Sequence, residues 1–237
     1  MLAPPLQVPS SKNFVPRSET VNGRRGRPTV PTLEPLALAS MIIQAKRDAE
    51  IITQGEDAEY CFQIVTGCVR TVKLLEDGRR QVGEFMLAGD IFGWEAAGDH
   101  EFGAEAVTPV TLRRFKLEAI EQRADNDRVF AQKLRCYASG QVRVARERLV
   151  LLGRKTASER IASFLLEMDE RLRASAHAVI ELPMSRVDIA DYLGLTIETV
   201  CRGLAEFRRN GTITIERTRV VVCNRSALGL AGSDRLH

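Results

Sequence analysis

Glu198 and Arg202 stand four residues apart in Thr196-Ile197-Glu198-Thr199-Val200-Cys201-Arg202. On a helix they leave the same side one turn apart. A carboxylate there accepts from the amino group of cytosine or adenine, and a guanidinium forks onto O6 and N7 of guanine, so the pair suits base edges in a DNA major groove. An exposed Glu and Arg at this spacing is also an ordinary surface pair worth only about 0.2 to 0.5 kcal/mol. The case for base reading therefore rests on the elements that carry the pair.

Those elements are two helices broken at Gly194. Ser185 with Asp188 three residues on is a capping pattern, and Val187, Ile189, Ala190 and Leu193 share one face of the first helix. Thr196 caps the second, where Val200, Leu204 and Phe207 recur at helical spacing and turn inward. That leaves Ile197, Glu198, Cys201 and Arg202 as candidate base readers at an exposed leading end, with Ser185, Arg186, Thr196, Thr199 and Arg208 placed to meet the sugar-phosphate backbone. A short helix, a tight turn and a longer helix with a polar leading face make a helix-turn-helix over residues 186–209. After Gly211, Thr212-Ile213-Thr214-Ile215 and Val220-Val221-Val222 form a two-stranded wing, with Arg217 and Arg219 in its turn to rest on phosphates.

Upstream, Thr156 with Glu159 is a capping box that opens another helix after a break at Gly153. Lys155 and Arg160 near that hinge are either phosphate contacts or solvated cations. From a cap at Asp125 or Asn126 to Gly153 there is no proline, and only Gly140 interrupts a long helical pattern. Ala131, Leu134, Ala138, Val142, Ala145, Leu149 and Leu152 follow the heptad-like spacing that keeps one seam facing a partner helix, which predicts a homodimer. Earlier still, Ile51–Thr53, Tyr60–Val65, Cys68–Leu75, Gln81–Leu87 and Ala104–Thr108 are short β-prone runs separated by turn residues, and they argue for an all-β sandwich or barrel. An apolar segment from Leu36 to Ile43 suggests a helix before them.

The chain thus divides into a disordered, proline-rich and basic tail (1–31), a β-domain (32–124), a dimerisation helix (125–153) and a winged helix-turn-helix (154–229), an α+β organisation. The tail, through Gly23-Arg24-Arg25-Gly26-Arg27-Pro28, is either solvated or an arm for phosphates. The net charge of +3 is uneven, with the middle of the chain acidic and both ends basic. No apolar run approaches the roughly 18 residues of a membrane span, and prolines interrupt the N-terminus where a secretory signal would lie, so a cytoplasmic protein is expected.

The segment Asp188-Ile189-Ala190-Asp191-Tyr192-Leu193-Gly194-Leu195-Thr196-Ile197-Glu198-Thr199-Val200-Cys201-Arg202 resembles the helix-turn-helix signature of the Crp/Fnr superfamily of bacterial transcription regulators. Glu198-x-x-Cys201-Arg202 is similar to the Glu-x-x-Ser-Arg triplet of the FNR and FixK branches, with Cys201 where those branches carry serine. The glycine-punctuated strands around Gly67, Gly78, Gly89 and Gly93 resemble the β-roll of the cyclic-nucleotide-binding fold, a jelly roll. The resemblance implies a homodimer joined through the long helix. Its recognition helices would sit about 34 to 36 Å apart on an inverted repeat of TTGA type, with Arg202 on the guanine. RNA polymerase is the implied partner, and a low-oxygen, nitrogen-fixation or respiration regulon the implied setting.

The same resemblance bears on ligands. In cAMP-binding relatives an Arg-Ser pair grips the cyclic phosphate. The matching places here fall at about His100 and Glu101, and Glu101 with Glu105 would repel an anion. FNR-type sensors hold an iron-sulfur cluster through cysteines near the N-terminus, whereas Cys61, Cys68, Cys136, Cys201 and Cys223 are scattered and none precedes residue 61. Three histidines without metal-ligand spacing offer neither a metal centre nor catalytic machinery. No cofactor and no enzyme activity are expected, and a FixK-like activator set by its own abundance follows. The alternatives are a ligand-gated regulator responding to a cyclic nucleotide or to a gas at a haem, and a redox switch at Cys201, where a thiol among phosphates would be blocked or charged by oxidation.

Overall fold

The computed structural model describes residues 39–95, 98–172 and 180–232. The tail assigned to residues 1–31 lies outside them. Strand β1 (Met41–Ala45) is the first element, followed by β2 (Glu50–Ile52), β3 (Tyr60–Thr66), β4 (Cys68–Leu74), β5 (Arg80–Leu87), β6 (Ile91–Phe92), β7 (Gly103–Ala106) and β8 (Val110–Lys116). They form two four-stranded antiparallel sheets, ordered β1-β8-β3-β6 and β2-β7-β4-β5. Between the sheets Ile52, Phe62, Ile64, Val69, Met86, Phe92, Ala104 and Leu112 build one core. Alternate positions of each strand supply it, which is the sandwich that the short β-prone runs predict. Gly67 makes the β3–β4 turn at φ +95°, where a Cβ would sit 2.5 Å from the Pro109 carbonyl oxygen.

The helix expected from Leu36 to Ile43 is a correction. Residues 36–38 lie outside the described range, and Met41–Ala45 is a strand that pairs with β8 from Met41↔Arg114 to Ala45↔Val110. Two adjacent isoleucines carry no periodicity of their own, and the free edge of β8 decides for strand. Strand β8 itself and the two-residue β6 escape a pattern search, β8 because charged Arg113 and Arg114 blur its alternation.

Helices α1 (Leu117–Asn126) and α2 (Arg128–Arg154) come next. The long helix starts just beyond the expected position, with the Asp127 carboxylate accepting from the amides of Val129 and Phe130. Phe130, Leu134 and Tyr137 bury its first turns against Cys61, Ile91, Phe115 and Ile120 of the sandwich and α1, and the Tyr137 hydroxyl donates to the Ile91 carbonyl at 2.8 Å. Leu134, expected on the dimer seam, therefore belongs to an intramolecular core, and Ala131 beside it is half-buried. Further along, Ala138, Val142, Ala145 and Leu149 stay exposed, Leu149 at 73%. Gly153 does not break the helix. Helical backbone runs through it to Arg154 and ends at Lys155, which is extended.

The C-terminal part comprises α3 (Ala157–Leu172), β9 (Ile180–Glu181), α4 (Arg186–Leu193), α5 (Ile197–Arg209), β10 (Ile213–Glu216), β11 (Arg219–Val222) and α6 (Arg225–Gly232). Its core of Ile161, Phe164, Leu165, Ile189, Leu193, Val200, Leu204 and Ile213 is continuous with Val82, Phe85 and Leu87 of β5. That continuity needs an irregular strand. The β4–β5 register shifts between Thr71 and Val72, leaving Gly83 unmatched, so Val82 before the bulge and Phe85 and Leu87 after it join the same core. Phe85 is fully buried, its ring 4.9 Å from that of Tyr192 and 6.3 Å from that of Phe164. Replacing Phe85 by Ala should therefore cost about 3 to 5 kcal/mol. Urea unfolding followed by far-ultraviolet circular dichroism checks this, and a loss under 1 kcal/mol would show that the two parts do not share a core.

Candidate nucleic-acid interface

Helix α4 begins in a complete capping box: the Ser185 hydroxyl accepts from the Asp188 amide at 3.1 Å, and the Asp188 carboxylate accepts from the Ser185 amide at 3.1 Å. It ends at Gly194, which adopts φ +60°, ψ 44°, the left-handed geometry open to glycine. Thr196 then caps α5, accepting from the Thr199 amide at 3.2 Å. Val200, Leu204 and Phe207 are buried, at 0%, 4% and 6% exposure. Glu198, Cys201 and Arg202 consequently face solvent together, with Ile197 at 41% exposure beside them. The Glu198 carboxyl is held below the usual carboxylate range by its own amide, by the Thr196 side chain and by Arg202. It is thus a stable acceptor next to a stable donor.

The face expected for α4 needs one correction. Val187 is 44% exposed, while Asp188 is buried at 4%. Polarity alone would place them the other way round. The Asp188 carboxylate is drawn inward because Arg70 of β4 and Arg80 of β5 reach it at 3.3 and 2.8 Å. These arginines carry no sequence signal for the role, since Arg80 lies 108 residues from Asp188.

Of the residues expected at the DNA backbone, Arg208, Arg217 and Arg219 are exposed. Arg217 turns the tight β10–β11 connection at φ +56°, and β9 adds a third strand to the wing through Val220↔Ile180, a pairing the sequence did not reveal. Thr199 is half-buried. Burial lowers the affinity of the half-buried Arg186 for its proton, opposed by electrostatic interaction with Cys201. The Ser185 and Thr196 hydroxyls serve as caps. Two cations sit elsewhere. The Lys155 ammonium donates to the Ser163 hydroxyl at 2.9 Å and to the Gly232 carbonyl at 2.7 Å. Arg160 is half-buried and donates to carbonyls of Leu152, Lys155 and Leu193 at 2.7 to 3.0 Å, gathering the C-terminal ends of α2 and α4. Thr156 and Glu159 form the predicted reciprocal cap.

Residues 159–230 match the Crp-like helix-turn-helix domain, and residues 42–127 match the cyclic nucleotide-binding domain. The chain is 45% identical over 186 residues to the nitrogen fixation regulation protein FixK of Azorhizobium caulinodans, covering 77% of this chain and 75% of that one. The chain belongs to the Crp/Fnr superfamily, in its FixK-like branch. FixK of Rhizobium meliloti is 40% identical over 187 residues, with 79% and 84% of the two chains covered. The solved structure of FixK2 from Bradyrhizobium japonicum superposes with a TM-score of 0.79 at 45% identity, over 83% of this chain and 98% of that one. A DNA-binding transcription regulator with this family's β-roll, long helix and winged helix-turn-helix is the result. Among the described residues no helix is long and apolar enough to cross a membrane.

Within the part that matches the cyclic nucleotide-binding domain, a cavity of about 670 Å³ lies between the roll and α2, lined by Ile52, Met86, Phe92, Trp94, Phe102 and Leu149 among others. The carboxylates expected to guard it are not there. Glu105 lies outside the lining and is paired with Arg70 at 2.6 Å, and Glu101 is exposed. Glu84 and Glu95 occupy the lining instead. Of the described lining residues Arg148 alone is cationic, and its guanidinium lies 3.2 Å from the Tyr192 ring centre and donates to the Tyr192 carbonyl. Glu95 faces His100 Nδ1 at 3.4 Å, and the one cation of the described lining is engaged with Tyr192, so a cyclic phosphate would find no ready counter-charge in this lining. His100 is buried against Gly93. Burial pushes the Cys61 and Cys68 thiols up to about 12, and no group of three or more metal-binding side chains exists among the described residues.

Gly194→Ala should destabilise the protein by about 1 to 2 kcal/mol through left-handed strain, a loss measured as a lower unfolding midpoint with Gly194→Asn recovering part of it. Because the Glu198 carboxyl is depressed, its charge persists to more acid pH than that of an ordinary glutamate. DNA affinity at constant salt should therefore show no step between about pH 5.5 and 8 that Glu198→Gln removes.

Proposed function

We propose that the protein is a homodimeric activator that reads an inverted repeat of TTGA type, Arg202 forking onto the guanine and Glu198 accepting from the neighbouring cytosine or adenine. The observation that carries this reading is the exposed Glu198–Arg202 pair at the leading end of α5, on a helix whose other side is buried. Arg217 and Arg219 of the wing, together with Arg208, supply backbone contacts that fix register and read no sequence. The exposed seam of Ala138, Val142, Ala145 and Leu149 on α2 supports a second copy packed helix to helix, and two copies present two recognition helices. That seam also borders the cavity, so a partner helix would close it.

The misfit of the cavity to a cyclic phosphate, with the scattered cysteines, favours operation without nucleotide or iron-sulfur cluster. A nitrogen-fixation regulon is supported by the name of the FixK relatives, nitrogen fixation regulation protein, and RNA polymerase is the downstream partner in this reading. A second reading, oxidative control at Cys201, is favoured by its exposure between base-reading positions and its interaction with Arg186.

The test is a fluorescence-anisotropy titration of purified, ligand-free protein on a duplex bearing the repeat. Sub-micromolar binding without added ligand is expected, and a strict requirement for cAMP would refute the ligand-free reading. Arg202→Ala should lose about 1 to 3 kcal/mol of discrimination at the guanine while retaining non-specific affinity. A selection from randomised half-sites that returned the same preference for the variant would remove Arg202 from the base contacts.

A further inference from the structure

The first helix of the reading motif is fastened to the β-roll by a compact charge cluster. Arg80 of β5 donates to the Asp191 carboxylate at 2.7 and 2.9 Å and to Asp188 at 2.8 Å. Arg70 of β4 reaches Asp188 at 3.3 Å, Glu105 of β7 at 2.6 Å and Asp48 at 3.5 Å. Gln81 adds a bond from its side-chain amide to the Asp191 carbonyl. Arg70 and Asp188 are nearly sealed from water, with side chains 11% and 5% exposed. Ionisation of Asp188 is opposed by this burial, yet the Ser185 cap, Arg70 and Arg80 outweigh it and hold the carboxyl below the usual range.

Two features set this cluster apart from a surface pair. Arg70 and Arg80 between them face Asp188, Asp191 and Glu105, so losing either arginine leaves excess negative charge at a packed interface. The cluster also sits on α4, one turn of chain ahead of α5, whereas the covalent link between α2 and α3 is only Lys155 and Thr156. Arg148 and Arg160 hold α4 at the α2 end through the Tyr192 and Leu193 carbonyls, contacts from β5 hold it at the roll, and the Gly83 bulge puts Phe85 in the same interface as the arginines.

We infer that Arg70 and Arg80 are positioning residues that set the angle of the recognition helix relative to the β-roll and α2, and through it the half-site spacing the protein accepts. They touch no DNA. The inference rests on the proposal that two copies read two half-sites, and it assigns a specificity role to residues of the roll that a ligand-free regulator would otherwise use only as scaffold. Asp188 thereby has two tasks, capping α4 and anchoring it.

Wild type, Arg80→Glu, Arg80→Gln and the charge-conserving Arg80→Lys would be titrated by anisotropy against duplexes whose TTGA half-sites are moved apart in single base-pair steps, and against a duplex with one half-site. Wild type should show one optimum, with affinity falling at least about tenfold one step away. Arg80→Glu and Arg80→Gln should lose most of that preference at the optimum while their affinity for the single half-site changes less than about twofold. Arg80→Lys, which keeps a cation beside Asp188 and Asp191, should keep most of the optimum. A sharp optimum retained in Arg80→Glu, or a spacing profile in Arg80→Lys as flat as that of Arg80→Glu, overturns the inference. Wild type indifferent to spacing would instead overturn the two-half-site reading itself. Near-ultraviolet circular dichroism of each variant establishes folding, and if Arg80→Glu fails to fold Arg80→Gln alone decides.

Discussion

Everything polar on α5 is held in place by what is apolar beneath it. Val200, Leu204 and Phe207 are each removed from water, and at about 1.5 to 3 kcal/mol apiece they fix the roll of the helix about its axis more firmly than any exposed ion pair could. Once that stripe is buried, Glu198 and Arg202 have no direction left but outward. The caps at Ser185 and Thr196 and the left-handed Gly194 set where the two helices begin and end, and hence which residues form the leading turn.

The molecule places chemically similar charges in two settings and obtains two different results. Glu198 and Arg202 are exposed, so each retains most of its capacity to bond elsewhere. Asp188, Arg70 and Arg80 have the same functional groups at a buried junction, where the cost of leaving one unpaired makes them anchors. Arg160 and Arg171 belong to the second kind. Arg160 ties two helix ends at the hinge, and Arg171 bonds the Phe85 carbonyl at 2.9 Å as well as Asp90. Arginines within the wing and at the end of α5 belong to the first.

The β-roll matches a nucleotide-binding domain, and its cavity is walled mainly by aromatic and aliphatic side chains, with Arg148 as the single cation of the described lining. The inter-sheet core and the cavity share Ile52, Met86, Phe92 and Ala104, so the apolar wall of the cavity is also part of what holds the roll together. In a chain built this way the outer face of β5 matters as much as the cavity, because that face carries the contacts to the reading motif.

Local sequence alone determined the caps, the helix-turn-helix bounded by Arg186 and Arg209, the inward stripe of α5, the long helix and most strands of the roll. Each of these is written in residues within a few positions of one another, where capping chemistry and the 3.6 and 2.0 periods operate. Tertiary structure decided the rest. Met41–Ala45 became a strand because β8 offered an edge, Gly153 stayed helical because the stop came at Lys155, and Leu134 was claimed by the roll. Val187 and Asp188 exchanged their expected environments, Glu105 left the cavity, and Lys155 and Arg160 went to carbonyls. Apart from Gly153, these outcomes depend on a partner distant in sequence or on the competition between burial and charge pairing, and neither is encoded in the spacing of neighbouring residues.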